Sequence, residues 1–113
     1  MASADKLRYA GFGSIKDTTL SFSYASDKKS RAYQEEYKKK AQALLTDLFS
    51  LGAKPGMRHR EDSVFGTWYA IVDEELFAFL VLTHNTFEER HAYRLLEDLR
   101  RETVGLASSP SNP

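Results

Sequence analysis

The sequence predicts an α+β domain in which a five-stranded antiparallel sheet lies between two helices. Two segments, SVFGTWYAIV (63–72) and ELFAFLVLT (75–83), are apolar at odd and even positions alike, which is typical of strands covered on both faces. Two longer segments, 28–51 and 87–104, carry apolar residues at helical spacing with charged residues between them. Because a doubly apolar sheet needs a cover on each side, we expect one helix on each face.

The predicted order of elements is strand, strand, helix, three strands, helix (β-β-α-β-β-β-α). LRYAGFGSI (7–15) and TLSFSYA (19–25) form the first two strands, and the second has one small, polar face, as at a sheet margin. The segment GMRHRED (56–62) is a short charged strand, and charge protects an exposed strand edge from pairing with other chains. The polar DEE (73–75) forms a tight turn, so the last three strands make an antiparallel meander.

Both helices have recognisable start and stop signals. Thr86 and Glu89 have the spacing of a capping box, which predicts the start of the second helix. Asp27 or Ser30 can cap the first helix. Gly52 follows the last apolar position of that helix and is predicted to end it in a left-handed conformation.

Length and composition favour one small domain. The chain has 113 residues, and its 16 basic residues balance 16 acidic ones, which gives no overall field for a nucleic acid or an anionic membrane. The absence of cysteine excludes disulfides and thiolate metal sites. The composition predicts a disordered N-terminus at 1–6, a folded domain at 7–104 and a polar tail or linker at 105–113. No apolar run approaches the roughly 20 residues that a membrane span needs.

No catalytic, cofactor or metal site is predicted. The only histidines, His59, His84 and His91, have no metal-ligand spacing. GFGS (11–14) lacks the remaining residues of a phosphate loop, and its two glycines on one strand face predict close approach of a helix. The adjacent carboxylates at 73–75 are in place for a solvated turn rather than for acid–base chemistry.

Nucleic-acid binding is also not expected. The basic clusters YKKKA (37–41) and RHR (58–60) are flanked by acidic residues, and three consecutive lysines on a helix do not form one stripe. A solvated surface explains both clusters.

The stretch FGTWYAIVDEELFAFLVLTHNTFEERHAYRLLEDLRRE (65–102) combines an aromatic-rich strand, a tight turn, an apolar strand and a helix with an aromatic residue near its start. In this combination the chain resembles the longin domain, the N-terminal regulatory module of longin-type vesicle SNAREs. The residues that match the family's helix position by position are Phe87, Ala92, Tyr93, Leu95, Leu96 and Leu99. YQEEYKKKAQALLTDL (33–48) is similar, more loosely, to the family's first helix. The resemblance covers residues 7–104 and implies a profilin-like fold.

This resemblance implies a non-enzymatic protein-binding module in vesicle-mediated membrane traffic. Its expected partners are a SNARE motif in cis or other SNAREs, and coat or tether proteins that read the domain for sorting. In the family the groove lies between the first helix and the third strand. Mapped onto this chain, the candidate groove residues are Tyr37, Leu44, Leu48 and Met57, with Arg58 and Arg60 as polar contacts. The alternative for each of them is an ordinary core or surface role.

The resemblance also sets expectations for the cellular setting. The domain is expected at the cytoplasmic face of endoplasmic reticulum, Golgi or endosomal membranes, with membrane association only through segments absent from this chain. Longin SNAREs continue into a SNARE motif and a membrane anchor, whereas this chain stops at Pro113 in a polar tail. It is therefore expected to be either a fragment or a longin protein without a SNARE core.

Two alternative functions remain open from the sequence. One is a longin-like subunit of a tethering or receptor complex without a SNARE core. The other is a small-ligand sensor or an enzyme on a profilin-like scaffold, because a fold alone does not determine function.

Overall fold

The computed structural model describes residues 7–25 and 32–108. In chain order the elements are β1 (Leu7–Ser14), β2 (Thr19–Ala25), α1 (Gln34–Ser50), β3 (Arg58–Ser63), β4 (Gly66–Val72), β5 (Phe77–Thr83) and α2 (Glu89–Ser108). The predicted α+β class, with a five-stranded antiparallel sheet and two helices, is confirmed. The predicted caps Asp27 and Ser30, and the predicted start of the first helix at 28, lie outside the described residues.

The five strands form one sheet in the order β2-β1-β5-β4-β3. The hairpins β1–β2, β3–β4 and β4–β5 are joined by antiparallel pairing of β1 with β5, so the last strand of the chain lies at the centre. The two margins of the sheet are β2 and β3. This topology leaves the short charged strand β3 at an edge, where charged residues are expected.

Each helix covers one face of the sheet. Along β4, Trp68, Ala70 and Val72 belong to the core beneath α1, whereas Tyr69 and Ile71 belong to the core beneath α2. The same alternation continues along β5, where the α1 side holds Ala78, Leu80 and Leu82 and the α2 side holds Phe79 and Val81. The period of two along a strand thus divides the apolar residues between two cores.

The α1 face depends on a close helix–sheet contact at Gly13. A Cβ atom at this position would lie 2.7 Å from Leu45 Cδ1 of α1 and 2.4 Å from Thr19 O of β2. A larger residue would therefore push α1 away from the sheet. This agrees with the close approach predicted from the two glycines of GFGS.

The end of α1 follows the predicted pattern. Gly52 has φ +69° and donates its N–H to Phe49 O, while Ala53 N donates to Leu48 O. These two bonds form a Schellman motif, which satisfies carbonyls that the helix would otherwise leave free. Glycine suits this position because a left-handed conformation strains residues with a Cβ atom.

The start of α2 differs from its predicted capping box. The helix begins at Glu89, so Thr86 lies in the preceding turn, where its Oγ1 is 2.9 Å from His84 Nδ1. The first bonds of the helix run from His91 N and Ala92 N to Glu88 O. The sequence spacing of the capping box was therefore misleading, because the Glu89 carboxylate contacts Arg60 instead of the helix start.

The β3–β4 connection also differs from the prediction. Residues 63–65 were predicted to continue an apolar strand, but Val64 and Phe65 form a tight turn between Ser63 and Gly66. Val64 is 94% exposed, and the ring of Phe65 turns towards α1. Directly after the turn, Gly66 adopts φ +132°, which residues with a Cβ atom rarely do. A Cβ atom at this position would also lie 2.1 Å from Thr83 O, so only glycine fits here.

Among the described residues, no helix is long and apolar enough to cross a membrane.

Candidate functional site

Three of the predicted groove residues lie in the core. Tyr37, Leu44 and Leu48 are at most 1% exposed and pack on the sheet beneath α1. Their helical spacing predicted an apolar stripe correctly, but the stripe covers the sheet and leaves no open apolar groove at these positions. Partner binding by these three residues would require α1 to move.

The other three predicted residues lie on two different faces. Met57, just before β3, packs at the margin of the core beneath α1. Arg58 and Arg60 pair in register with Ile71 and Tyr69 of β4, both of which lie beneath α2. Neighbouring residues of an extended chain point to opposite faces, so Met57 cannot join the two arginines in one groove.

The space between α1 and β3 is bridged by an ion pair. Lys40 of α1 contacts the carboxylate of Glu61, which lies on the α1 side of β3 opposite Trp68. Both partners are about two-thirds buried, with side-chain exposures of 32% and 33%. The pair therefore links β3 to α1 across the space where the groove was predicted.

On the opposite face, arginines and tyrosines form a connected cluster. The Arg58 guanidinium lies 4.5 Å from the centre of the Tyr93 ring, within the range of a cation–π interaction. Tyr93 meets Tyr69 edge to face at 5.3 Å and donates a long 3.4 Å hydrogen bond to His59 O. Arg60 lies 5.7 Å from the Tyr69 ring. We call Arg58, Arg60, Tyr69 and Tyr93 the arginine–tyrosine cluster.

The two arginines of this cluster differ in their charge partners. Arg60 lies 2.9 Å from the carboxylate of Glu89 and 3.6 Å from that of Asp62. Among the described residues, no carboxylate forms an ion pair with Arg58. Arg60 therefore ties β3 to the start of α2, whereas Arg58 keeps its hydrogen-bonding capacity.

The surroundings of the cluster also change the pKa values of its members. Burial raises the pKa of Tyr69 and Tyr93 above the ordinary range for a phenol, and the Glu89 carboxylate adds to the rise. The pKa of Arg60 is raised mainly by the Tyr69 phenol and further by Asp62 and Glu89. Both phenols are consequently neutral and Arg60 is charged near neutral pH.

At the edge of the sheet, some backbone polar groups of β3 have no hydrogen-bond partner among the described residues. Val72 accepts from Gly56 N at 2.9 Å and donates to Met57 O at 3.0 Å. Bonded positions alternate in an antiparallel ladder, so every second residue of β4 counted back from Val72 bonds to β3. The β3 residues opposite those positions are His59, Glu61 and Ser63. The residues whose N–H and C=O groups point outwards are Arg58, Arg60 and Asp62.

A cleft of about 400 Å³ opens at the start of β3, on the same face as the arginine–tyrosine cluster. Its walls include Arg58, Asp73 and Glu74 from the sheet side and Glu97 and Arg100 from α2. Arg100 and Glu97 bind each other at 3.1 Å. The cleft therefore lies beside both Arg58, which forms no ion pair with any described residue, and the outer edge of β3.

No metal centre is found in residues 7–25 and 32–108, where no three potential metal ligands come together. The Asp73 carboxylate, one of the three adjacent acids of the turn, accepts hydrogen bonds from Glu75 N and Phe77 N at 2.9 Å each. It therefore has a structural role in the β4–β5 turn.

The arginine–tyrosine cluster was not predicted as a unit from the sequence. The alternation of RHRED (58–62) places both arginines on one face of the strand, so this part of the cluster can be predicted from the sequence. Tyr93 matches the family's helix, but its contact with Arg58 depends on how α2 packs on β4 and β5, beside β3. No local sequence pattern carries that information.

Comparison of the chain with protein-family models, with curated proteins and with solved structures finds no match.

Proposed function

We propose that this chain is a non-enzymatic protein-binding module of the longin type, acting in vesicle-mediated membrane traffic. Its partner is a segment of a trafficking protein: a SNARE motif in cis or in another SNARE, or a segment of a coat or tether protein. The observation that carries the binding role is the free outer edge of β3. There Arg58, Arg60 and Asp62 present backbone donors and acceptors that β4 does not use.

The longin type is supported by the agreement between the family pattern and the role of each residue in the structure. Ala92, Tyr93 and Leu96 are buried on the inner face of α2, and Phe87, Leu95 and Leu99 pack around them. A sheet covered by one helix on each face is also what the resemblance implies. These features support a profilin-like arrangement as the finer description of the fold.

The proposed mode of binding is addition of a strand to the sheet. An extended segment that pairs with β3 gains main-chain hydrogen bonds, and its alternate side chains reach both faces. Because the apolar stripe of α1 packs against the sheet, the bound segment cannot contact it. Its apolar contacts are made instead with residues at the ends of β3. The exposed Val64 and the half-buried Met57 and Phe65 lie at the two ends of β3.

The test is a titration of the isotope-labelled domain with peptides from SNARE motifs and from coat and tether proteins. We expect binding near micromolar, about −8 kcal/mol, which suits a regulatory contact that must open. The amides of β3 should shift first. Peptides with N-methyl groups on the pairing edge have the same side chains but cannot donate the hydrogen bonds, and they should not bind. Binding that ignores this modification, or shifts confined to other parts of the domain, would overturn the proposed mode.

A second candidate function is a small-ligand sensor, which the cleft beside Arg58 favours. Arg58 and Arg100 offer two cations to an anionic ligand there, although Asp73, Glu74 and Glu97 share the walls. A metabolite that shifted the amides of these residues, while all peptides left β3 unmoved, would support the sensor over the peptide-binding module.

A further inference from the structure

We infer that the partner segment runs antiparallel to β3 and is selected by charge order, with a carboxylate side chain opposite Arg58 and a basic side chain opposite Asp62. This inference rests on the proposed function, because it assumes that a strand pairs with the edge of β3. It names the polarity and the side-chain chemistry of that strand.

The carboxylate position follows from the surroundings of Arg58. Its guanidinium stacks on Tyr93, at 4.5 Å, and has no carboxylate partner among the described residues. Tyr93 is itself held by its contact with Tyr69 and by its hydrogen bond to His59 O. A guanidinium that is already oriented loses less side-chain freedom when it binds, and its planar fork matches a carboxylate.

The basic position follows from Asp62, at the other end of the outward-facing residues. Its side chain is 74% exposed, and one carboxylate oxygen accepts from the hydroxyl of Thr67 at 3.1 Å. Arg60 approaches that oxygen only at 3.6 Å. An ionised carboxylate has about four lone-pair sites, so Asp62 can still accept from a partner's lysine.

The middle position, opposite Arg60, carries no charge requirement. Arg60 is already bound to Glu89 at 2.9 Å. A carboxylate placed opposite it would compete with this contact and gain little. The outward row of β3 therefore has an unpaired cation at its start, a neutralised cation in the middle and an accessible anion at its end.

Nearby carboxylates limit how acidic the partner can be. Glu74 and Glu75 line the same cleft as Arg58, so a polyacidic segment would meet repulsion there. A segment with one carboxylate and one base avoids this repulsion. The same two charges also give the partner a direction along β3.

An antiparallel partner is inferred because every pair of neighbouring strands in this sheet is antiparallel and because antiparallel pairing is slightly more stable per residue than parallel pairing. Opposite residues of a paired strand share a face, and positions opposite Asp62 and Arg58 are i and i+4 of the partner. In an antiparallel partner the residue opposite Asp62 comes first in sequence. The preferred peptide therefore has lysine at i and glutamate at i+4, with uncharged strand-forming residues between them.

The test compares two amidated and acetylated peptides of identical composition, one with lysine at i and glutamate at i+4 and one with the two exchanged. We expect the first to bind the domain at least about fivefold more tightly at low salt, and the difference to shrink as salt is added. Equal affinities of both peptides, with β3 amides shifting for each, would overturn the charge order but leave the proposed edge binding intact. A preference for the exchanged peptide would overturn the antiparallel polarity.

Variants of the domain test whether Arg58 is responsible for the preference between the two peptides. In Arg58→Gln the first peptide should lose the part of its advantage that comes from the glutamate, whereas Arg94→Gln, which removes the same charge from an exposed position of α2, should retain the full advantage. Arg58→Lys keeps the charge but not the fork, and should retain only part of the preference. An unchanged preference in both Arg58 variants would overturn the assignment. Arg58→Lys also serves as the test if Arg58→Gln proves poorly folded.

Discussion

At the scale of single residues, the roles of Arg58 and Arg60 are separated by their neighbours. Both lie on the α2 face of β3, and both approach a tyrosine ring. Arg60 also meets Glu89, which joins the strand to the helix, while Arg58 has no such partner among the described residues. The difference comes from the position at which α2 begins, not from the identity of the two side chains.

A substitution of Leu96 tests the core beneath α2. The Leu96 side chain is fully buried between α2 and the sheet. We expect Leu96→Ala to lower the free energy of unfolding by about 2–5 kcal/mol, because the truncation loses apolar burial and leaves a cavity. Arg94→Ala, on the exposed side of the same helix, should stay within about 0.5 kcal/mol of the original. Chemical denaturation measures both, and a change below about 1 kcal/mol for Leu96→Ala would show that this position is not part of the core.

The raised pKa of Tyr93 predicts how the stability of the domain changes at alkaline pH. This pKa is raised on folding, chiefly by burial, so the folded state holds the phenolic proton more tightly than the unfolded state. This contribution is complete below the unfolded pKa of about 10 and is lost as pH rises through the folded value. In Tyr93→Phe, which keeps the ring contact with Arg58, denaturation midpoints should fall less steeply above about pH 10. Parallel pH profiles for both proteins would contradict this.

The sequence correctly predicts the features of single residues that follow from a local rule. It does not predict those that depend on contacts between residues far apart in the chain. The alternation along β5 assigned Phe79 to one core and Leu80 to the other, as observed. The stripe of Tyr37, Leu44 and Leu48 was equally clear, but an apolar stripe has the same spacing whether it faces a sheet or a partner. Only the packing of α1 on the sheet decides between these two roles.

At the scale of elements, the turns determine the register of the sheet. The β3–β4 turn was missed because Val64 and Phe65 are apolar, whereas such two-residue turns usually carry glycine, asparagine or aspartate. Gly66, directly after the turn, supplies the unusual backbone conformation instead. The β4–β5 turn was predicted because its acidic residues are polar and adjacent.

Asp73 provides a test of that second turn. One carboxylate oxygen accepts from Glu75 N and from Phe77 N. In Asp73→Ala both donors lose their partner, and we expect a loss of about 1–3 kcal/mol in the free energy of unfolding. Asp73→Asn keeps an acceptor oxygen of the same shape and should recover most of that loss. Equal destabilisation by both substitutions, measured by urea denaturation, would show that the oxygen does not hold the turn.

At the scale of the whole molecule, the fold closes both faces of the sheet and leaves the outer edge of β3 available. The helices cover the two faces of the sheet, and β2 and β3 form its margins. The number of elements and the fold class followed from periodicity, because each amphipathic segment has one way to bury its apolar side. The charges of GMRHRED also predicted β3 as an exposed edge, and the sheet order places it there. The closed α1 side of β3 and the arginine–tyrosine cluster did not follow from periodicity, because both depend on how the helices pack on the sheet.

Amide hydrogen exchange on the β3 backbone distinguishes an edge that is open to a partner strand from one that is not. In the free domain, we expect the outward-facing amides of Arg58, Arg60 and Asp62 to exchange fast and those of His59, Glu61 and Ser63 to exchange slowly. Addition of a binding peptide should slow the first set and leave the second unchanged. Protection of all six amides in dilute free protein, or a bound peptide that leaves Arg58, Arg60 and Asp62 exchanging fast, would contradict a role of β3 as the edge that receives a partner strand.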